Sequence, residues 1–471
     1  MIKFFNTLSG KVEAFHPLQD QKVSLYACGP TVYDFAHIGN FRTFVFEDFL
    51  RRFFEWNGYD VKHVMNITDV DDKTIQGAAQ SGQTLQQFTE RFTQAFEEDL
   101  RSLQCLKPQV QPCATQEILP SQGLGMIQLI QTLVDKGFAY PSDGSVYFRV
   151  SKFPSYGKLS KKILEQNIQG ARVDVDEYQK EDGSDFVLWK KTKPGEPSWD
   201  SPWGPGRPGW HIECSAMSMK YLGETFDLHV GGEDLIFPHH ENEIAQSEAA
   251  TGKPFVRYWL HCKFLLVNGE KMSKSKGNFY TLRDLIQKGY DPIGVRYALM
   301  SVHYRQPLNF TLESLQAAVK AVQTLNQFYS SVMNHEFFGR SFSTEHFLGA
   351  ILKQTHADIY DALADDLNIS KALASVFGFV DKVDKKIKAS QISKADWEHL
   401  KDFLGGLQRL LGIFRDQSFE KIPESVRDLF FKRISLKKEK KFDDADKIRK
   451  EIEALGYLVW DEAKGVTGIS K

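Results

Sequence analysis

Short apolar runs alternate with amphipathic stretches through the first hundred or so positions. Val23–Ala27 reads as a strand that Gly29 and Pro30 break. The residues after them, through His37 and Gly39 to Glu47, read as the start of a helix. Val61–Ile67 reads as a second strand, followed by Thr68 and the acidic turn Asp69–Asp72. Gln86–Leu103 is predicted helical, with Phe88, Phe92, Phe96 and Leu100 on one stripe. Leu228–Gly232 ends a further strand in a glycine pair, and Pro238 suits the first turn of a helix carrying His239–Thr251. This alternation predicts an α/β fold on a parallel sheet with ligands at the carboxyl ends of the strands, where Cys28 and Thr68 fall.

Residues 118–204 interrupt the pattern. They open with a helix, Met126–Lys136, pass through strands such as Ser145–Val150, and close in the Pro/Gly/Trp-rich stretch Pro194–Pro208, which cannot be a long regular element. A lysine-rich segment, Glu270–Asn278, follows the apolar run Phe264–Val267. From Thr311, placed as an N-cap, to about residue 415 the spacing is helical, beginning with Leu312, Leu315, Val319, Val322 and Leu325. The end of the chain differs in character. Phe442, Ala445, Ile448, Ile452 and Leu455 form an apolar stripe that stops at Gly456, and the strand-like Tyr457–Trp460 follows.

A chain of 471 residues has room for several domains. No window of about 18 apolar residues occurs, so no membrane span is expected, and the N-terminus has no signal-peptide pattern. Five scattered cysteines, an odd number, argue for a reducing, cytoplasmic setting with at most a metal-bound or reactive thiol. The formal net charge is −2, so any nucleic acid must be held by local basic patches, of which 432–450 is one. Candidate chemistry gathers at Tyr26–Asn40. A strand running into a helix N-terminus makes an anion site. Cys28, His37, Gly39 and Asn40 there offer a soft metal ligand, two hydrogen-bonding side chains and an open backbone; a buried thiol and a satisfied helix histidine fit the same residues. His239 and Glu243 are four apart on one predicted helix and could share an ion, with Cys28 and Cys214 completing a tetrahedron. From spacing alone, a surface helix pair is the simpler reading of His239 and Glu243.

HIGN at 37–40 and KMSKS at 271–275 form the signature pair of class I aminoacyl-tRNA synthetases, with Asn40 where histidine is more familiar. The segments ACGPTVYDFAHIGNFRTFVFED, MNITDVDDK, DFVLWKKTKPGEPSWDSPWGPGRPGWHIECSAM, LHVGGEDLIFPHHENEIAQSEA and KMSKSKGN resemble the cysteinyl-tRNA synthetase family over roughly residues 1–330, and the C-terminal helices more loosely. DDLNIS at 365–370 departs from the family's DDFNTP, which bears on local geometry rather than chemistry. The resemblance implies ATP-dependent attachment of cysteine to its tRNA through an adenylate. It implies Zn2+ on Cys28, Cys214, His239 and Glu243, and an amino-acid pocket at Gly29, Thr68 and Trp210. His37, Gly39 and Asn40 with Lys271 and Lys274 would serve the phosphates, Gly231, Gly232 and Asp234 would serve the adenosine, and Mg2+ would arrive with ATP. The expected map is a Rossmann-like catalytic domain (1–117 and 205–263), a connective insertion (118–204), a KMSKS region (264–310), a helical tRNA-binding bundle (311–415) and a small α/β anticodon module (416–471). A monomer without membrane contact is expected. The cysteine ligase of mycothiol synthesis would lack the long helical region. A zinc hydrolase would need a His-Glu-x-x-His segment that is not present. A non-catalytic RNA-binding relative would be expected to lose the KMSKS lysines or the cysteines, which are all here.

Overall fold

The computed structural model of the chain describes residues 1–161, 182–333, 348–389, 391–415, 422–461 and 467–470. Part of the expected insertion, 162–181, and the first residues of the tail segment, 416–421, lie outside the described residues. Two compact units result, one made of Met1–Pro292 with Val302–Thr311, the other of Ile293–Ser301 with Leu312–Lys471.

A hairpin of β1 (Lys3–Asn6) and β2 (Lys11–Ala14) opens the first unit. β3 (Lys22–Ala27) leads to α1 (Ile38–Trp56) and β4 (Asp60–Met65), followed by α2 (Asp72–Ser81), α3 (Leu85–Ser102), the single turn α4 (Ala114–Glu117) and α5 (Met126–Asp135). β5 (Ala139–Ser142), β6 (Ser145–Phe148), β7 (Phe186–Lys191) and β8 (Gly206–Pro208) form an antiparallel sheet in sequence order. After α6 (Trp210–Leu222) come β9 (Phe226–Gly232), α7 (Glu241–Thr251) and β10 (Val256–Cys262). The central sheet is wholly parallel in the order β10-β9-β3-β4, with α1 packed on β4 and β9 and α6 packed on β3 and β4. Covered strands of this kind read as nearly continuous apolar runs, as Val23–Ala27 does. Asn6 fastens the opening hairpin to β10: its Nδ2 donates to the Arg257 carbonyl at 2.9 Å and its Oδ1 accepts from Trp259 N–H at 3.0 Å. A second small sheet joins β11 (Leu265–Val267), β12 (Glu270–Lys271) and β13 (Leu308–Phe310), with α8 (Leu282–Gln287) between the last two.

Two boundaries differ from the sequence expectation, and both matter to the site. The helix after Pro30 starts only at Ile38, so Cys28 and His37 are separated by a loop, held at Thr31 by a bridge to Thr68. His37 is the cap of that helix instead of a member of its first turn. Likewise His239 and Pro238 belong to an irregular turn, Ile236–His240, broken by the extended Phe237, and the α-helix begins at Glu241.

The second unit is helical: α9 (Pro292–Met300), α10 (Leu312–Met333), α11 (Gly349–Ala364), α12 (Ile369–Lys388), α13 (Lys394–Leu411), α14 (Glu424–Lys438) and α15 (Phe442–Ala454), then the antiparallel pair β14 (Leu458–Asp461) and β15 (Thr467–Ser470). Arg296 is buried, and its Nε donates to the Leu411 carbonyl at 2.9 Å. The unusual DDLNIS segment holds Asp366 and Leu367 at φ of 59° and 56°, left-handed positions that cost energy outside glycine. Asn368 then caps α12 by accepting from Lys371 N–H. In the tail, Ala445, Ile448 and Ile452 are buried against α14, but Phe442 and Leu455 are more than half exposed. The apolar stripe is longer than the partner surface, so its two ends project into solvent. Arg433, within the basic stretch 432–450, is buried.

Candidate active site

The carboxyl end of β3 delivers Cys28, the second turn of α6 delivers Cys214, the turn entering α7 delivers His239, and the first turn of α7 itself delivers Glu243. Their ligand atoms all lie within 4.8 Å of one another. Cys28 Sγ is 3.8 Å from Cys214 Sγ and 3.7 Å from Glu243 Oε1, which is 3.1 Å from His239 Nε2. These separations match the edges of a tetrahedron of donors about 2.0–2.3 Å from a central zinc ion. All four side chains are buried. Burial pushes both thiols and the Glu243 carboxyl up and the His239 imidazole down, so without a cation the neutral forms are favoured. Two thiols, an imidazole and a carboxyl in that geometry form a donor set for a soft divalent cation.

Sequence reasoning missed the histidines behind this set. Cys28, Glu243, His229 and His240 form a second overlapping group of donors. His229 Nε2 lies 2.8 Å from Glu243 Oε2, and His211 Nδ1 lies 2.8 Å from His239 Nδ1. His240 Nδ1 meets His261 Nε2 at 2.8 Å, and His261 Nδ1 meets Thr7 Oγ1 at 2.7 Å. Such partners fix ring orientation. The adjacent His239–His240 pair was the one local sign; His211, His229 and His261 reach the site from α6, β9 and β10, which only the fold brings together.

Beside the donor set lie the residues expected to form the pocket. Gly29 is required by space: a Cβ there would sit 1.6 Å from the Asn66 carbonyl oxygen. Thr68 is buried, with its hydroxyl donating to Glu213 Oε2 at 2.7 Å. Trp210, the first residue of α6, is 40% exposed and stacks on the His239 ring at 4.1 Å, so one aromatic face spans the distance from solvent to the donor set. Gly231 and Gly232 end β9; a Cβ on Gly232 would meet Asp234 Oδ1 at 2.4 Å, which puts that carboxylate over the glycine backbone.

His37 and Asn40 cap α1 reciprocally. His37 Nδ1 accepts from Asn40 N–H, and Asn40 Oδ1 accepts from His37 N–H, both at 3.1 Å. Burial pulls the His37 pKa down, and in its neutral form an accepting Nδ1 leaves the proton on Nε2. One N–H on the ring and the Asn40 amide NH2 thus remain as donors at the helix N-terminus. The lysine-rich loop closes on this cap. His37 bridges Thr281, Ile38 N–H donates to the Tyr280 carbonyl at 3.0 Å, and a Cβ on Gly39 would meet Met272 Cε at 2.7 Å. Gly39 therefore makes room for Met272 and the His37 ring. Lys274 Nζ reaches Asp34 Oδ2 at 2.5 Å, a partner the sequence did not suggest, and that hydrogen bond raises the lysine's pKa. Lys271 is exposed on β12.

The comparisons agree with this geometry. Residues 14–320, well over half of the chain, match the family model of the class I (C) tRNA synthetase catalytic domain, and residues 358–415 match the DALR domain. The chain is 48% identical to a cysteine–tRNA ligase of Solibacter usitatus, covering 99% of this chain and 98% of that one. It is also 48% identical to a cysteine–tRNA ligase of Caldicellulosiruptor saccharolyticus, covering 98% of each. A Mycobacterium tuberculosis methionyl-tRNA synthetase in complex with methionyl-adenylate shares the fold, with a TM-score of 0.59 at 15% identity over 83% of this chain and 92% of that one. A parallel sheet whose carboxyl ends gather a Cys/Cys/His/Glu donor set, and an HIGN cap closed by a KMSKS loop, meet in one chain with these relatives, and the chain belongs to the cysteine–tRNA ligase family of class I aminoacyl-tRNA synthetases.

Proposed function

We propose that this chain joins cysteine to its tRNA at the expense of ATP, in two steps. A carboxylate oxygen of cysteine attacks the α-phosphorus of ATP and pyrophosphate leaves; the terminal ribose hydroxyl of the tRNA then attacks the cysteinyl carbonyl and AMP leaves. Family membership supports the reaction, and one observation carries the choice of amino acid: a thiol-rich donor set at 3.8 Å sulfur separation beside the pocket. Cys28, Cys214, His239 and Glu243 would hold Zn2+. That ion would supply a soft Lewis acid for the substrate thiolate, which a serine hydroxyl cannot match.

The protein's remaining work is positioning and charge stabilisation. His37 Nε2–H and the Asn40 amide would donate to the phosphates from the start of α1. Lys271 and Lys274 would close over the pyrophosphate, Lys274 exchanging Asp34 for a phosphate oxygen. Gly231, Gly232 and Asp234 would receive the adenosine, Gly39 would keep the cap open, and Gly29, Thr68 and Trp210 would hold the amino acid. Mg2+ would come with ATP. Residues 1–117 with 205–263 would be the catalytic domain, 118–204 the connective insertion, 264–310 the KMSKS region, 311–415 the tRNA-binding bundle and 416–471 the anticodon module. Among the described residues no helix is long and apolar enough to cross a membrane, and none of the five cysteines forms a disulfide. We place the enzyme in the cytoplasm, as a monomer.

Pyrophosphate exchange into ATP, driven by cysteine or by serine, tests this reading. An apolar pocket separates such near-isosteres by about 10- to 200-fold. Exchange with cysteine and a preference over serine beyond that range are expected. Exchange driven equally by serine, or none with cysteine, overturns the proposal.

A further inference from the structure

The hydrogen bonds beneath the pocket all run one way. Asn66 is buried, and its Oδ1 accepts from Gly29 N–H at 3.0 Å and from Tyr26 O–H at 3.2 Å. With the oxygen so engaged, Asn66 Nδ2 faces Thr68 Oγ1 and donates to it at 3.2 Å. A hydroxyl has a single proton to give. Thr68 gives its proton to Glu213 Oε2 at 2.7 Å. Glu213 is itself fully buried, and its other oxygen, Oε1, has no hydrogen-bond partner among the described residues. The chain of bonds therefore ends in an open acceptor, the remaining lone pair of the Thr68 hydroxyl.

A buried carboxyl oxygen left without a partner costs on the order of 1–3 kcal/mol in an ordinary core. Here it lies next to the donor set, since Asn66 Oδ1 also accepts from Cys214 Sγ at 3.7 Å and Glu213 precedes Cys214 on α6. A cysteine whose thiol is held by that donor set carries its ammonium only a few bonds away. Its carboxylate must point to the ATP phosphates. The ammonium, which is all donors, is the group left to meet an acceptor. We infer that Glu213 is a positioning residue for this reaction: it locks the Thr68 hydroxyl as an acceptor, and so makes the pocket demand an ammonium beside the thiol. The inference rests on reading Gly29, Thr68 and Trp210 as the amino-acid pocket.

The test compares cysteine with 3-mercaptopropionate, which has the thiol and carboxylate but no ammonium. Cysteine affinity is read from exchange, 3-mercaptopropionate from its inhibition of exchange, and metal content is measured on each preparation. Glu213→Ala is expected to weaken cysteine roughly ten- to a hundredfold, the scale of a hydrogen bond to a charged group, while leaving 3-mercaptopropionate unchanged. Glu213→Gln can still accept from Thr68 and should recover most of the loss. Thr68→Val should reproduce the selective loss and decides the matter if Glu213→Ala fails to fold. Equal weakening of both ligands overturns the inference, as does unchanged cysteine affinity. Loss of bound metal in step with cysteine affinity would assign Glu213 to Cys214 instead, and also overturns it. A wild-type enzyme without cysteine-dependent exchange would remove the functional reading itself, a different result from an active wild type with unselective variants.

Discussion

Cys214 has one neighbour that a serine could keep and one role that it could not. Serine in its place preserves a polar atom near Asn66 but loses the soft donor 3.8 Å from Cys28. Cys214→Ser is expected to lose bound zinc and cysteine-dependent exchange together, by metal analysis and exchange on one preparation; full metal content with normal exchange would refute the ligand assignment. Lys274 is a separate case. Two-thirds of its side chain is exposed, and its partner Asp34 is a surface carboxylate, so the ion pair contributes little to stability. If the lysine stabilises charge developing on the phosphates, Lys274→Ala should slow adenylate formation by on the order of 10²–10³-fold with little change in cysteine binding. Stopped-flow measurement of the adenylate step checks this. At this scale the sequence was informative where residues announce themselves by type. Two cysteines, a His/Glu pair and a KMSKS run need no fold to be noticed. Asn66, Glu213 and Asp34 are ordinary residues whose roles come from what stands 3 Å away, so nothing local marked them.

Elements were legible where an apolar pattern dictated them and less so where a cap or turn decided the boundary. The stripe Phe88, Phe92, Phe96, Leu100 is buried on α3 as expected. The start of α1 was set instead by the His37–Asn40 exchange, a cap that spacing alone confuses with a first helical turn. The histidine on β4 illustrates what a buried strand imposes. His63 is fully enclosed, both ring nitrogens lack hydrogen-bond partners among the described residues, and burial, aided by the Arg51 charge, lowers its pKa to about 3. In the unfolded chain the value returns to about 6.5. The unfolded state thus binds the extra proton between those limits, so this contribution is whole above pH 6.5 and is lost as the pH falls toward 3. At pH 5 the loss is about 2 kcal/mol. His63→Leu should therefore lose less stability than the wild type between pH 7 and pH 5, by up to about that amount. Urea titrations of both proteins at the two pH values would show it, and parallel losses would reject it.

Across the whole molecule, the charge is nearly balanced at a formal −2, so affinity for a polyanion must come from particular surfaces. Lys437, Lys440 and Lys441 border the turn between α14 and α15, with Lys441 exposed and paired to Glu439; the Lys438 side chain lies outside the described residues. If these lysines lie near the anticodon arm, removing residues 416–471 should leave cysteine-dependent exchange nearly intact, weaken tRNA charging and flatten its salt dependence. Lys440→Ala with Lys441→Ala is the gentler version, lowering the slope of log affinity against log salt by about 1–2 if both touch phosphate. An unchanged KM for tRNA in the truncated protein would make the tail a cap and nothing more. The order of strands in the central sheet has a further consequence, in the time domain. β3 pairs with β4 nearby in the chain and with β9 after most of the first unit has intervened, and the two thiols of the donor set are separated by 186 positions. Contacts this distant must close a long loop before they repay its entropy, which slows folding. During synthesis from the N-terminus, β3 and Cys28 emerge with half of their surroundings missing. The middle of the sheet cannot assemble until the chain has grown past Gly232, nor the Cys/His/Glu cluster until it has passed Glu243, so the nascent protein carries an unpaired apolar strand edge and a Cys28 thiol without its cluster partners for about half of its translation.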